Sequence, residues 1–214
     1  MKKVFTLAVT MLLVCAMVLP VCAAAVNSVR QPGAPVVSEV EKESVTVTVT
    51  PLAEQEKASW AVQQEMKAAT KALNDGDLTK VSGVQEAVKA LNELNAALKP
   101  GEAIVKPGAS AEAVPENQKW TEVKVENLAV SEVFHVHAEE TGIAVTFEAE
   151  GIRAGQFLMV MVFVDGQWKV LDFDAVEILE DGKVKIVFQQ YGTVAFIVDK
   201  DEQAQYLAEQ AKKK

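Results

Sequence analysis

The segment Phe157–Val164 is a run of eight apolar residues without a charge, and it constrains the fold more than any other part of the chain. In a strand, alternate side chains point to opposite faces, so Phe157, Met159, Met161 and Phe163 share one face and the residues between them share the other. A strand that is apolar on both faces must be covered on both faces. We therefore expect a second layer on one side, and either the chain's own helical hairpin or a partner on the other. The hairpin is favoured, because its own apolar stripes also need burial.

Apolar residues alternate with other residues through most of residues 120–199, which is typical of strands. Asp165-Gly166 and Asp181-Gly182 lie between apolar runs and are hairpin signals. An earlier alternating segment, Val45–Thr50, is β-branched on both faces and ends at Pro51. Short strands joined by such turns predict an antiparallel β-sandwich or barrel. The strands predicted in the second half are Thr121–Val125, Ala129–His137, Ile143–Glu148, Phe157–Val164, Trp168–Phe173, Val176–Leu179, Val184–Gln189 and Val194–Val198.

Two amphipathic helices are expected between these strand regions. Residues Ala53–Asn74 carry apolar side chains at intervals of three and four, and Asn74-Asp75-Gly76 supplies a stop. A second helix is expected to start at Ser82, with Gln85 completing a capping box, and to end at Pro100-Gly101. Two helices joined by a short turn form a helical hairpin. The two stripes are Ala58, Val62, Met66, Ala69 and Leu73, and Val84, Val88, Leu91, Asn95 and Leu98.

The predicted fold class is therefore α+β, with a helical hairpin packed on an antiparallel β-sandwich after an N-terminal signal peptide. The expected organisation is a signal peptide (1–25), a flexible leader (26–44), a strand plus the helical hairpin (45–99), a linker (100–119), the β-sandwich (120–199) and a charged tail (200–214). The interdependence of helix and sheet burial favours one integrated domain over two independent ones.

The first 25 residues have the pattern of a secretory signal peptide. Lys2 and Lys3 precede the uncharged apolar run Val4–Val18, Pro20 follows, and the small residues 23–25 supply an Ala-x-Ala cleavage site. The run is too short for a stable membrane span, which needs about 20 apolar residues. We therefore expect an exported protein with no transmembrane segment in its mature chain.

Composition excludes several function classes. Both cysteines, Cys15 and Cys22, lie in the predicted signal, so the mature protein would rely on its core alone rather than on disulfides. Removing the signal also removes two lysines, which takes the formal net charge from −9 to −11. An acidic chain without basic patches is repelled by nucleic acid phosphates, so no nucleic-acid partner is expected. No cofactor is predicted.

His135-Val136-His137 is the single histidine pair in the chain. Residues two apart on a strand share a face, so both imidazoles could reach one metal ion. Zinc sites need a third or fourth protein ligand, however, and the sequence identifies none. The favoured interpretation places Phe134 and Val136 in the core and both histidines on the solvent-exposed face, with a metal site at His135 and His137 as the alternative.

The remaining candidate chemistry is sparse. Asp172, Asp174 and Glu177 lack the spacing and the central glycine of an EF-hand loop, so a solvated strand end is favoured over a calcium site. No serine has the context of a nucleophile elbow. A hydrolase that uses two carboxylates stays open, because such a pair is defined by its separation in space.

Three further features have a structural and a functional interpretation. Trp120 and Trp168 flank predicted strand starts, and core packing is favoured over a role as partner anchors. The lysines 212–214 suit the C-terminus of a short helix or a frayed tail, and three lysines attract an anionic surface only weakly.

The second half resembles a loosely defined set of uncharacterised exported and wall-attached proteins of Gram-positive, clostridia-type bacteria. Residues 128–136 (LAVSEVFHV) are similar to their "VSDLFDVS"-type entry strand, and residues 164–170 (VDGQWKV) to their "DGxWxVV" hairpin. Residues 180–188 and 191–198 are similar to their closing strands, and Ala53–Leu98 to their helices. The chain departs from the set in carrying His135 where an acid is frequent, and in having neither an LPxTG-type motif nor an apolar tail. The resemblance implies a secreted β-sandwich module and carries over no catalytic residue.

The expectation for function is an exported, non-catalytic binding or structural module of the bacterial cell surface. Its expected partner is a protein or a cell-wall polymer. The two alternatives are a small secreted hydrolase that uses a carboxylate pair, and a metal-binding exported protein that uses His135 and His137.

Overall fold

The structure is a computed structural model that describes residues 35–73, 77–97, 108–109 and 122–213. The predicted signal peptide, Trp120 and most of the predicted 100–119 linker therefore lie outside the described residues. Three α-helices are present in the described part: α1 (Trp60–Ala72), α2 (Ser82–Ala96) and α3 (Lys200–Lys213). None of the described helices combines the length and the apolar character that crossing a membrane requires.

Ten strands form two five-stranded sheets that pack face to face. One sheet has the order β1-β5-β9-β8-β3 and the other the order β2-β4-β10-β6-β7. All described pairings are antiparallel except that of β3 with β8. The strands are β1 (Val36–Val40), β2 (Val47–Pro51), β3 (Gly108–Ala109), β4 (Leu128–Ala138), β5 (Ala144–Glu148), β6 (Leu158–Val164), β7 (Gln167–Val170), β8 (Val176–Ile178), β9 (Val184–Val187) and β10 (Gly192–Asp199).

The two-sided burial predicted for residues 157–164 is confirmed. Leu158, Val160 and Val162 lie in the core between the two sheets, with Phe134 and Phe196. The alternate residues Phe157, Met159, Met161 and Phe163 lie in a second core, between the sheet and the helices. The structure thus has three layers, with α1 and α2 covering the outer face of the sheet that contains β6. This is the predicted α+β fold class.

Helix α1 starts later than the sequence pattern predicts. The expected helix Ala53–Asn74 is divided into a 3₁₀ helix, Leu52–Lys57, and α1 itself. Ser59 has an extended backbone and its hydroxyl accepts a hydrogen bond from the Val62 amide, so it is the N-cap that starts α1. The predicted stop at residues 74–76 lies outside the described residues.

Helix α2 begins at Ser82, as predicted, but without the predicted capping box. Its N-cap is Val81, which has no side-chain oxygen, and the Gln85 amide donates instead to the Thr79 carbonyl. Val84, Val88 and Leu91 of its apolar stripe are buried, and Asn95 is buried with its amide donating to the Leu91 carbonyl. The stripe interpretation is confirmed for these residues, whereas Leu98 lies outside the described part.

Several strand boundaries differ from the predictions, and the largest differences lie in three places. Residues 122–124 lack regular structure and lead into a 3₁₀ helix, Val125–Asn127, so the prediction of a strand at Thr121–Val125 was wrong. The strand predicted to end at Phe173 ends at Val170, before the 3₁₀ helix Phe173–Ala175. Part of the predicted flexible leader forms β1, which pairs with β5. The charged tail forms α3 over almost its whole length.

A β-bulge in β4 changes which face its side chains occupy. Strand β10 pairs Phe196 with Glu132 and the next residue, Ile197, with Val130, so Ser131 is the extra residue. Val130 and Val133 therefore both face the helices, although they are three residues apart. Since Phe134 faces the core between the sheets, Glu132 also points to that side.

Candidate functional site

The two histidines share a face of β4, as predicted, but they differ in exposure. His135 is buried with 7% of its surface exposed, whereas His137 is exposed. The expectation that both lie on the solvent-exposed face was wrong for His135, because α1 crosses the sheet directly above it. The sequence gives no signal for this, since the crossing of α1 depends on packing between distant segments.

Glu65 of α1 is the group that meets His135. Its Oε1 accepts hydrogen bonds from the Thr193 amide at 2.6 Å and from the Thr193 hydroxyl at 2.9 Å, which fixes the carboxylate against the sheet. Its Oε2 lies 3.7 Å from Nε2 of His135, too far for a hydrogen bond. Burial lowers the pKa of His135, the Glu65 charge opposes that shift, and His137 adds to it. Burial thus favours the neutral form of the imidazole.

This arrangement places the Glu65 carboxylate beside one imidazole, that of His135. The Thr193 hydroxyl donates its hydrogen bond to Glu65 and not to His135, so hydroxyl, carboxylate and imidazole are not linked in a nucleophile–histidine–acid order. Within the described residues no three His, Cys, Asp or Glu side chains are grouped so that they could hold a metal ion. The hydrogen bonds to Glu65 give the carboxylate a structural role, which is to hold α1 on β10.

Trp60 is a candidate that the sequence analysis missed. It is the first residue of α1 and 75% of its surface is exposed. Ser59 immediately before it is the N-cap, so an exposed position on the first turn could have been predicted had the helix start been recognised. Trp168, by contrast, is buried and donates its indole N–H to the Ala69 carbonyl at 3.0 Å, which confirms the core-packing interpretation for that residue.

A second missed residue is Glu132, whose carboxyl group lies inside the protein. The residue is 3% exposed and neither carboxyl oxygen has a hydrogen-bond partner. Burial, followed by the negative charge of Glu150, raises its pKa from 4.5 to about 8. Its strongly shifted pKa makes Glu132 the member of a carboxyl pair that best fits the hydrolase alternative. With so little exposed surface, however, it offers no access to a substrate.

The remaining carboxylate candidates are dispersed. Asp172 and Asp174 are exposed beside the 3₁₀ helix Phe173–Ala175, and Glu177 is exposed on β8, in agreement with a solvated segment. A shallow open groove of about 840 Å³ lies between α2 and residues 122–126, and its charged lining consists of four glutamates and two lysines. This excess of acidic side chains disfavours an anionic ligand.

Comparison of the chain with protein families, with curated proteins and with solved structures gave no match in any of the three. The functional argument therefore depends on the geometry of the described residues.

Proposed function

We propose that this protein is an exported, non-catalytic binding module of the bacterial cell surface, and that Trp60 anchors its ligand. The observation that carries the binding role is the exposure of Trp60, three quarters of whose surface is in water, because tryptophan is enriched at interfaces and among the residues that contribute most to binding. The pattern of residues 1–25 supports export.

The position of Trp60 supports this role because its backbone is fixed before any ligand binds. Ser59 caps the helix. The side-chain amide of Gln63 donates to the backbone carbonyls of Ala58 at 2.9 Å and Glu56 at 3.2 Å, and these hydrogen bonds stabilise the turn that leads into α1. A preorganised anchor loses little conformational entropy on binding. Burying roughly 150 Å² of a tryptophan at about 25 cal/mol/Å² gives about 4 kcal/mol, the size of a hot-spot residue.

The charge of the protein limits the class of ligand. With a formal net charge of −9 the chain is repelled by anionic polymers, so we propose a neutral wall glycan or a surface protein as the ligand. An indole face suits both, because it stacks on apolar sugar faces and fills pockets in protein partners.

The test measures the amount of purified protein that is retained by washed cells of the source bacterium. Trp60→Ala should lower retention about tenfold or more, and Trp60→Phe should keep part of it. Leu94→Ala is the matched control, because Leu94 is an exposed apolar residue of α2, 48% exposed. Equal retention of the wild type and Trp60→Ala would overturn the proposal. Retention by protein-free sacculi would indicate the glycan, and its loss after protease treatment of the cells would indicate a protein.

A further inference from the structure

Helix α3 is held against the sandwich almost entirely by polar contacts. Among its side chains that the structure describes, only Gln203 is buried, and Leu207 is 42% exposed. Glu202 accepts a hydrogen bond from the Phe157 amide at 2.7 Å, and Glu209 pairs with Arg153 at 3.1 Å. A helix without a buried apolar stripe has a small free energy of docking, so it belongs to the least stable part of the fold.

Helix α3 contacts residues that adjoin the buried Glu132 along the chain. Gln203 donates to the Ser131 hydroxyl at 3.4 Å, and its Nε2 lies 3.2 Å from where a Cβ on Gly151 would be. Gln203 thus lies between the chain neighbours of Glu132 and Glu150, and these two carboxyls interact. Among the residues that the structure describes, the buried side-chain atoms without a hydrogen-bond partner are both carboxyl oxygens of Glu132, Gln156 Nε2 and Gln203 Oε1.

The charged groups on the surrounding elements do not compensate Glu132. Arg153 is paired with Glu209 and lies 5.3 Å from the centre of the Tyr206 ring. Glu150 is an anion and Glu202 already accepts from the Phe157 amide. Asp199, at the end of β10, accepts from the amides of residues 201 and 202 and caps α3. An ionised Glu132 would therefore be a buried charge without a partner.

We propose that α3 is a proton-controlled latch, which stays docked while Glu132 is protonated and leaves the end of the sandwich when Glu132 ionises. Release lets water reach the carboxylate at the cost of only the polar contacts that hold α3. Asp199 and the contact of Lys200 with the Glu126 carbonyl, at 2.6 Å, hold the start of the helix, so α3 would move about that end. The latch does not depend on the identity of the ligand at Trp60.

The test is amide hydrogen exchange of the full chain at pH 6 and pH 9, with each rate divided by its intrinsic rate at that pH. The protection of the α3 amides should fall about tenfold or more between the two pH values, because the docked and released states differ in proton affinity. The protection of the β10 amides should stay high. Glu132→Gln should keep α3 protected at both pH values, and Glu177→Gln, an exposed glutamate on β8, should behave as the wild type.

Glu150→Gln provides a second variant that does not alter a buried side chain, since Glu150 is exposed. Without the negative charge of Glu150, ionised Glu132 is less unfavourable while α3 stays docked, so the pKa of Glu132 differs less between the docked and released states. The α3 amides should therefore lose less protection at pH 9 than in the wild type. Equal α3 protection at pH 6 and pH 9 in the wild type would overturn the latch. The same loss in Glu132→Gln, or a parallel loss in β10, would also overturn it.

Discussion

Replacing Glu132 with glutamine should stabilise the protein, and by an amount that grows with pH. In the folded protein the carboxyl keeps its proton up to about pH 8, whereas in the unfolded chain it ionises near 4.5. The unfolded state therefore binds fewer protons between these values, and the stability of the wild type falls as the pH rises through this window. At about 1.4 kcal/mol for each pH unit, the wild type loses roughly 3 kcal/mol by pH 7 and about 5 kcal/mol above pH 8.

Glutamine is close in size to protonated glutamic acid and cannot ionise, so the variant escapes this loss. If α3 leaves the sandwich when Glu132 ionises, the free energies of unfolding of the wild type and of Glu132→Gln can differ by no more than the free energy of docking α3. The difference would then level off below pH 8 and below about 5 kcal/mol. The shape of the curve thus separates a latch from a rigidly buried carboxylate.

The assay is urea unfolding at several pH values from 5 to 9, followed by circular dichroism and by the fluorescence of buried Trp168. Subtracting the wild-type free energy of unfolding from that of Glu132→Gln cancels the titration of His135 and of the other carboxylates. Glu177→Gln, at an exposed site, is the control and should differ from the wild type by less than about 0.5 kcal/mol. A difference for Glu132→Gln that does not change with pH would refute the reasoning.

Two further predictions concern the helix-facing core and the histidine pair. Met161→Asp should prevent folding, because it buries a charge without a partner between β6 and the helices. An unchanged thermal melting curve would contradict the three-layer packing. Zinc or a chelator should not shift the melting temperature, because Glu65 is hydrogen-bonded to Thr193 and the described residues form no metal-binding group. A rise in melting temperature with zinc that His135→Ala abolishes would restore the metal alternative.

The parts of the fold that the sequence predicted are those where one periodic pattern decides the outcome. The uninterrupted apolar run of residues 157–164 predicts burial on both faces, so a second covering layer could be inferred before the helices were placed. Strand β1 was missed because Pro35 and the preceding Pro32 and Gly33 suggest a leader, while the pairing of Val36–Val40 with β5 is set by residues more than 100 positions away.

Both site residues that were missed depend on a local break in periodicity. The bulge at Ser131 places Glu132 on the same face of β4 as Phe134. Without the bulge, alternation from Leu128 and Val130 would place Glu132 on the face that contacts the helices. Nothing in one sequence shows that β4 has an extra residue, because the bulge is defined by the register of β10. Trp60 was assigned to the interior of a longer helix, and recognising Ser59 as the N-cap would have placed it on the exposed first turn.

The central proposal, an exported protein that binds the cell surface, is tested most directly by fractionating cultures of the source organism and reading the N-terminus of the protein in each fraction by mass spectrometry. The account predicts a chain that begins near Val26, found in the medium or in the wall fraction and released from the wall without enzymatic digestion. Protein that keeps Met1 and its signal residues and is found with the cytosolic fraction would contradict it.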